Sequence, residues 1–293
     1  MTSAALPGTD AASHPRILDP VAQSAVGLEK PAFLGDRPRS PRLSSAVRAS
    51  VPLALGLLWW VSTRPGSGSN GVIASPVDVW NALVELHQTG QLGAFLRASV
   101  GRAGLGVTLG VTIGISLGVT SGLSALGEEL VDPTMQMLRA VPFLAMVPLY
   151  ISWFGIDERF KILLIATATA FQMYAYTYLG VRSVDRKIVE AARGFGLRRW
   201  GLLFGVILPS ALPSLLMALR VCLAVSVIGL IAAEQVGTSE GIGYLVLLAK
   251  QYYRQDYMLL CILLYAGLGL LFDLFIRTLE RYAMPWRPLR GRR

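Results

Sequence analysis

Residues 190–213 read EAARGFGLRRWGLLFGVILPSALP and separate two long apolar runs of the chain. The segment is the most polar internal stretch of a sequence that is 53% hydrophobic and only 15% charged, with a mean hydropathy of +0.53. Soluble domains average about 25% charged residues. Because the deficit of charge is spread over several long runs, the composition predicts a polytopic membrane protein.

Six segments are long and apolar enough, or nearly so, to cross a bilayer as helices of about 20 residues. They are residues 47–63, 98–121, 133–155, 160–181, 208–232 and 257–279. These runs are too long for transmembrane strands and lack the alternation of apolar and polar residues that such strands need. The sequence therefore predicts an all-α membrane protein with about six transmembrane helices.

The distribution of Lys and Arg predicts the orientation of these spans. Three segments that would face the cytoplasm hold six Lys or Arg each: 1–50, 182–207 and 277–293. A short inner loop near 122–132 holds none. Three segments that would face outward hold two each: 64–97, 156–161 and 233–256. Since cytoplasmic segments of membrane proteins are enriched in Lys and Arg, both termini are predicted to be cytoplasmic.

The chain is predicted to have three parts. Residues 1–47 contain six prolines and scattered charges, without the apolar core of a signal peptide, and predict a disordered cytoplasmic extension. Such an extension could bind a partner, but nothing in its sequence identifies one. Residues 48–285 form the transmembrane domain, which includes the cytoplasmic loop 182–207. Residues 286–293 form a basic cytoplasmic tail.

The sequence lacks the motifs that several kinds of catalysis and ligand binding need. The sequence has no GxxxxGK[ST] phosphate loop, no GxSxG motif and no HExxH motif. His14 and His87 lie outside the spans, and Cys222 and Cys261 are isolated within apolar runs, where we expect them to face the core or lipid. The basic residues lie in blocks between spans, so no nucleic acid is expected. The two histidines and two isolated cysteines cannot build a metal cluster, and no cofactor is expected. Transport is therefore favoured over catalysis, with the energy source outside this chain.

The second predicted span carries two ridges of small residues. Glycines recur at every fourth position, at 106, 110, 114, 118 and 122. A second ridge beside them consists of Thr108, Thr112, Ser116 and Thr120. This spacing allows another helix to approach closely within lipid. Static close packing is favoured over a sliding face used in gating.

Three residues are candidates for a translocation pathway. Pro142 and Pro148 each remove a backbone hydrogen bond and are predicted to kink the third span, which is tolerated beside a water-filled path. Arg220 lies within an apolar run, where a charge costs about 2.5–3.5 kcal/mol. Arg220 is predicted to attract an anionic solute. For the two prolines, the alternative is a kink that serves helix packing alone. For Arg220, the alternative is a structural arginine that snorkels or pairs with Glu234 or Asp273.

The polar segment quoted first predicts two short helices joined by a turn, on the cytoplasmic surface. Asp185 is a suitable N-cap for the first helix, and Gly196 suits the left-handed position that ends it. Pro209 begins the next span, where its missing N–H is harmless, and Pro213 should bend that entry. One face of the first helix would carry Ile188, Ala191, Ala192 and Phe195. The elbow is suited either to receive a docked protein or to lie on anionic lipid.

This elbow resembles the cytoplasmic loop of ABC importer permease subunits, which has the form Glu-Ala-Ala, three residues, Gly, nine residues, Ile, one residue, Leu-Pro. The matching residues in this sequence are Glu190, Ala191, Ala192, Gly196, Val206, Leu208 and Pro209, with valine in place of isoleucine as the one departure. The resemblance implies a type I ABC importer permease fold in the inner membrane of a bacterium. It also implies a homodimer in contact with membrane lipid, whose loops dock into two separate ATPase subunits that bind the ATP.

The likeness covers about residues 95–285 and is nearest to permeases of the aliphatic-sulfonate, taurine and nitrate class, notably in QMLRAVP (136–142) and WFGIDE (153–158). It implies import of a small anion, aliphatic sulfonates first, delivered by an extracytoplasmic solute-binding protein. Taurine, nitrate or a thiamine-precursor pyrimidine are alternative solutes. An ATP-independent channel or secondary carrier is the alternative class, which would need Glu234 or Asp273 as a coupling acid. Residues 241–249 are a candidate short helix at the outer mouth.

Overall fold

The computed structural model describes residues 41–64 and 73–285, with side chains from residue 50 onward. The chain divides into two compact units, residues 1–57 and 58–293. The described part of the first unit is the beginning of helix α1, Pro41–Ser62. Most of the predicted N-terminal extension and the whole of the predicted basic tail lie outside the described residues.

The described part of the second unit consists of helices and helical turns. In chain order they are α2 (Pro76–Gln88), α3 (Gln91–Leu123), α4 (Ala125–Ala140), a 3-10 turn (Phe143–Met146), α5 (Val147–Phe154), α6 (Glu158–Arg182), α7 (Arg186–Gly194), α8 (Arg199–Leu202), a π turn (Leu203–Ile207), α9 (Leu208–Glu234), α10 (Ile242–Gln251) and α11 (Gln255–Ala283). Four runs are long and apolar enough to cross a membrane: α3, α6, the continuous run from α8 to the end of α9, and α11. They confirm the second, fourth, fifth and sixth predicted spans.

The first and third predicted spans differ from these four. The first falls in α1, whose described apolar part, Ser50–Ser62, is shorter than a span. The third is broken, because α4 and the segment Phe143–Phe154 are bent by 86°. Val141 and Pro142 between them have extended backbone, with ψ angles of 124° and 114°. The third predicted span is therefore a bent pair of helices, and counting this pair once gives up to five spans within the described residues.

The prolines of this broken span have different roles. Pro142 lies at the break, immediately before the 3-10 turn, which confirms the kink predicted at this residue. Pro148 lies in the first turn of α5, where a backbone N–H has no intrahelical partner in any case. Pro148 therefore begins a helix, and the predicted kink at this residue was wrong.

Helix α6 is the central helix of the second unit. Its residues Phe160 and Ile165 have no exposed surface, and α3 and α9 pack against it. The Cys222 thiol of α9 donates a hydrogen bond to the Thr169 carbonyl of α6 at 3.3 Å. Cys222 and Cys261 are both buried and unbridged, which confirms the prediction that they face the protein core.

The glycine ridge of α3 sets the distance between α3 and α6. A Cβ atom placed on Gly114 would lie 2.6 Å from the Met173 Cβ and 2.8 Å from the Ala170 carbonyl oxygen. The four other ridge glycines would also bring a Cβ within 3.0 Å of atoms of α6: Gly106, Gly110, Gly118 and Gly122. The close approach predicted from the four-residue spacing is therefore confirmed.

The hydroxyl ridge beside the glycines faces away from α6. Its four side chains are exposed, and each donates a hydrogen bond to the carbonyl four residues earlier, at 2.7 to 3.0 Å: Thr108, Thr112, Ser116 and Thr120. Because the hydroxyl groups are satisfied within α3, this face can lie against an apolar environment without unpaired donors.

We expect Gly114→Ala to lower the thermal unfolding midpoint of the purified protein by about 2–12 °C. Overpacking costs about 1–3 kcal/mol, and each kcal/mol shifts the midpoint by about 2–4 °C in a chain of this size. Gly104→Ala in the same helix is the matched control, because its added Cβ would meet no atom within 4 Å. That change should be neutral or stabilising, since alanine is the better helix former. Equal midpoints for the two variants would contradict the role of the ridge.

Candidate functional site

Helix α7 begins and ends through its own local chemistry. The Asp185 side chain accepts a hydrogen bond from the amide two residues later at 2.9 Å. At the other end, the Leu197 amide donates to the Ala192 carbonyl at 3.1 Å, and Gly196 donates to the carbonyl three residues earlier at 2.9 Å. Gly196 has a φ of +86°. These bonds form a Schellman cap, so both predicted ends of the helix are confirmed.

One face of α7 packs onto the ends of two spans. Ala192 is 8% exposed and lies in a cluster with Val181 of α6, Ile207 of the π turn and Ala211 of α9. Ala191 is exposed although Ala192 is buried, because adjacent residues of a helix point about 100° apart. Contacts of Ala192 therefore attach α7 to both α6 and α9.

Two large apolar side chains beside Ala192 on α7 are uncovered. Ile188 is 52% exposed and Phe195 is 88% exposed. Glu190 and Ala191 are also exposed, and Glu190 makes no ion pair with the described residues. We call Ile188, Glu190, Ala191 and Phe195 the coupling surface. Large exposed apolar side chains bordered by polar residues are typical of a surface that contacts another protein.

The remaining residues of the signature connect the loop to α9. Val206 is partly buried in the π turn and packs against the cluster around Ala192. Leu208 is partly buried, and Pro209 lies in the first turn of α9. These three residues therefore face the protein, whereas the beginning of the signature faces outward.

The candidate pathway residue Arg220 faces α11. Its Nε lies 3.6 Å from the Asp273 carboxylate, and its Nη2 lies 3.3 Å from the Glu280 carboxylate. The expected Asp273 partner is confirmed, and the expected Glu234 partner was wrong. Arg220 and Asp273 line a cavity of about 240 Å³. Both ion pairs join α9 to α11, so the structure does not place Arg220 with Pro142 and Pro148, whose neighbours pack on α6.

Glu234 is the centre of a buried network that the sequence reasoning missed. Its side chain has no exposed surface. Its carboxylate accepts hydrogen bonds from Arg102 Nη1 at 2.7 Å and Ser99 Oγ at 2.8 Å, both from α3. It also accepts the amide of Gly243 at 2.9 Å, in the first turn of α10. Arg102 and Glu234 are 132 residues apart, so only the folded chain brings them together.

Arg102 extends the network to α6. Its Nε and Nη2 donate to the two oxygens of Glu158 at 2.6 and 2.9 Å, and its Nη1 also donates to the Glu240 carbonyl at 2.8 Å. The buried Lys161 ammonium lies 2.8 Å from Glu158. Bidentate pairing of this kind is geometrically specific. The network therefore fixes the ends of α3, α6 and α9 relative to α10.

Two glycines allow the Glu234 carboxylate to reach α10. A Cβ atom on Gly241 would lie 2.5 Å from a carboxylate oxygen, and one on Gly243 would lie 2.5 Å from the Glu234 Cβ. Gly241 also has a φ of +119°, which other residues rarely adopt. The short helix predicted around residues 241–249 is confirmed as α10.

The two acids that a secondary carrier would need are both engaged in ion pairs. Glu234 pairs with Arg102, and Asp273 lies 2.6 Å from Arg277 as well as near Arg220. A coupling acid must be able to exchange its proton or ion during transport, and fixed ion pairs oppose that exchange. Among the described residues, no group of three or more His, Cys, Asp and Glu residues is arranged to hold a metal ion.

Comparison with known proteins adds three findings. Residues 110–283 match the model of the family described as binding-protein-dependent transport system inner membrane component. The SsuC protein of Escherichia coli (strain K12), whose name describes an aliphatic sulfonates transport permease, is 43% identical over 238 residues, covering 81% of this chain and 90% of that protein. The SsuC protein of Bacillus subtilis (strain 168), with the same descriptive name, is 39% identical over 81% of this chain and 86% of its own length.

The fold is also found in a solved structure. A crystal structure of an amino acid ABC transporter with histidines superposes with a TM-score of 0.56, covering 68% of this chain and 97% of that chain. The sequence identity is 19%, so this likeness concerns the fold alone.

Proposed function

Because the chain belongs to the family of binding-protein-dependent transport system inner membrane components, and is thus the permease subunit of an ABC importer, we propose that it imports aliphatic sulfonates. The observation that carries this choice of solute is the similarity to the two SsuC permeases along four fifths of the chain. The predicted type I importer fold is confirmed. The chain is a transport subunit that works with a separate ATPase and with a solute-binding protein.

The coupling surface is the proposed docking site for the ATPase subunit. Docking would bury the apolar side chains of Ile188 and Phe195 and give the Glu190 carboxylate a cationic partner. Because Ala192 and Ile207 pack α7 against the ends of α6 and α9, a displacement of α7 would be passed to both spans. Closure of two ATPase subunits would then switch a homodimer of this chain between inward-open and outward-open states, without any ATP bound to the permease.

The proposed orientation places both termini and α7 in the cytoplasm of a bacterial cell. It is supported by the threefold excess of Lys and Arg in the inner segments. The same orientation puts α10 and the buried network of Glu234 at the outer surface. The solute-binding protein would therefore dock near α10, and the network would hold that surface in place.

Replacing Arg220 with alanine is expected to lower uptake of an alkanesulfonate by about 10-fold, which corresponds to the loss of one charge-assisted contact of about 1.4 kcal/mol. Arg220 is shared between Asp273 and Glu280, so we propose that the anionic solute displaces one of these carboxylates. Arg277→Ala is the matched control, because Arg277 pairs with the same Asp273 but is 64% exposed. Uptake per molecule of protein in the membrane is the measurement. Equal losses of uptake and of protein would make Arg220 structural.

Growth on single sulfur sources tests the proposed solute. A deletion strain should fail to grow when an alkanesulfonate is the sole source of sulfur and should grow normally on sulfate. Expression of the chain should restore growth. Unimpaired growth on every alkanesulfonate would overturn the assignment, and parallel cultures on taurine, on nitrate as nitrogen source and without thiamine would identify an alternative solute.

A further inference from the structure

A cavity of about 1130 Å³ lies beside the coupling surface, where α3, α6 and α9 have their ends near α7. Most of its wall is apolar, including Val119 of α3, Val181 of α6 and Ile207 of the π turn. Its charged lining residues are Arg182, Arg186, Arg193, Arg199 and Glu128. The cavity therefore combines a long apolar wall with a cluster of cations.

Three of the four arginines lack a carboxylate partner in the part of the chain that the structure describes. Arg182 pairs with Glu128, but Arg186, Arg193 and Arg199 form no ion pair there. All three are exposed. An anionic group entering the cavity would therefore meet three uncompensated positive charges.

The position of the cavity matches the boundary between a bilayer and water. Arg182 is the last residue of the spanning helix α6, so the arginines lie at the level of the span ends. Trp200 and Phe204 also line the cavity, stack with ring centroids 6.0 Å apart, and are 71% and 62% exposed. Exposed aromatic side chains at this level are typical of the membrane interface. The π turn that carries Phe204 is a feature found frequently at functional sites.

We propose that this cavity binds one anionic phospholipid, with the phosphate among Arg186, Arg193 and Arg199 and an acyl chain along the apolar wall. The proposal rests on the proposed function in one respect, the placement of these span ends at the cytoplasmic leaflet, where anionic lipids attract basic segments. Arg186 and Arg193 belong to α7, which carries the coupling surface. The bound headgroup therefore holds α7 against the membrane and makes the position of the coupling surface depend on lipid composition.

Lipid binding to the purified full-length chain tests this site. In native mass spectrometry, dioleoyl phosphatidylglycerol should bind at least about 10-fold more tightly than dioleoyl phosphatidylcholine. The combined variant Arg186→Gln, Arg193→Gln and Arg199→Gln should bind phosphatidylglycerol about 100-fold more weakly, since each basic residue near a membrane contributes about 5-fold. The matched control, Arg97→Gln, Arg159→Gln and Lys250→Gln, removes three exposed cations elsewhere and should change binding by less than about 2-fold.

A second variant tests whether the lipid binds within the cavity or is only attracted to the arginines at the surface. Ser116 is exposed and lines the cavity, so Ser116→Trp fills part of it without altering charge. This variant should also lose preferential binding of phosphatidylglycerol, with its thermal midpoint in phosphatidylcholine unchanged. Wild-type affinity in Ser116→Trp, or equal losses in the arginine variant and its control, would overturn the proposal.

Two further results would also overturn it. Equal affinity for phosphatidylglycerol and phosphatidylcholine would show that the arginines do not select an anionic headgroup. Equally tight binding of soluble decanesulfonate would assign the cavity to the transported solute, because a sulfonate shares the anionic head and apolar tail. The assay contains no ATPase and measures no uptake, so its outcome is independent of the growth test for the solute.

Discussion

Replacing Glu234 with glutamine should destabilise the folded protein by about 3–5 kcal/mol, because it leaves Arg102 largely buried without one of its two partner charges. Glu234 has no exposed side-chain surface and joins α3, the end of α9 and the first turn of α10. A loss of this size should lower the thermal unfolding midpoint by roughly 10 °C and reduce the yield of folded protein.

The control for this experiment is Glu240→Gln. Glu240 is exposed and enters the network through its backbone carbonyl, so the change of side chain leaves that hydrogen bond in place. Its midpoint should stay within about 1 °C of the wild type, as is usual for surface substitutions. A Glu234→Gln protein as stable as the control would show that the network does not hold these ends of the spans together.

Replacing Ile188 with aspartate should weaken binding of the ATPase subunit by about 30-fold. Anchor residues of protein interfaces contribute 2 kcal/mol or more, and a carboxylate at the centre of an apolar contact removes that contribution. Because Ile188 is 52% exposed in the isolated chain, its replacement should leave the unfolding midpoint almost unchanged. The measurement is a titration of the purified permease with its ATPase.

The matched variant for Ile188 is Val77→Asp. Val77 is 58% exposed and lies in the first turn of α2, as Ile188 lies in the first turn of α7. The Val77→Asp variant introduces the same charge in the same helical context, away from the coupling surface. ATPase binding that is equally tight in both variants would remove α7 from the proposed interface.

The sequence predicted those parts of the fold that depend on local patterns. Four spans follow from apolar length, and the ends of α7 follow from Asp185 and Gly196, whose capping chemistry involves only a few neighbouring residues. The close packing of α3 on α6 follows from the spacing of the glycines. In each case a short stretch of chain contains all the information.

The parts that the sequence did not predict depend on contacts between distant residues. Pro142 predicted a kink in the third span, but the presence of a proline does not specify the size of the bend, which is 86° here. The burial of Ala192 depends on where Ile207 and Ala211 pack, which periodicity within one helix cannot indicate.

The network around Glu234 is the clearest example of such a long-range contact. Its members are Ser99, Arg102, Glu158, Lys161 and Glu234, drawn from three spans. The one signal in the sequence was the presence of ionisable residues within or beside apolar runs, since each of them needs a partner. That signal predicted a partner for Arg220, but it did not identify Arg102 as the partner of Glu234.

ATP-driven uptake into proteoliposomes tests the proposed mechanism most directly. The vesicles would contain this chain and its ATPase, with the solute-binding protein and a radiolabelled alkanesulfonate on the outer side. Uptake should require ATP, proceed against a concentration gradient, and fall at least 10-fold with the Ile188→Asp permease. Uptake that proceeds at the same rate without ATP, and stops once the two concentrations are equal, would contradict an ABC importer and indicate a channel.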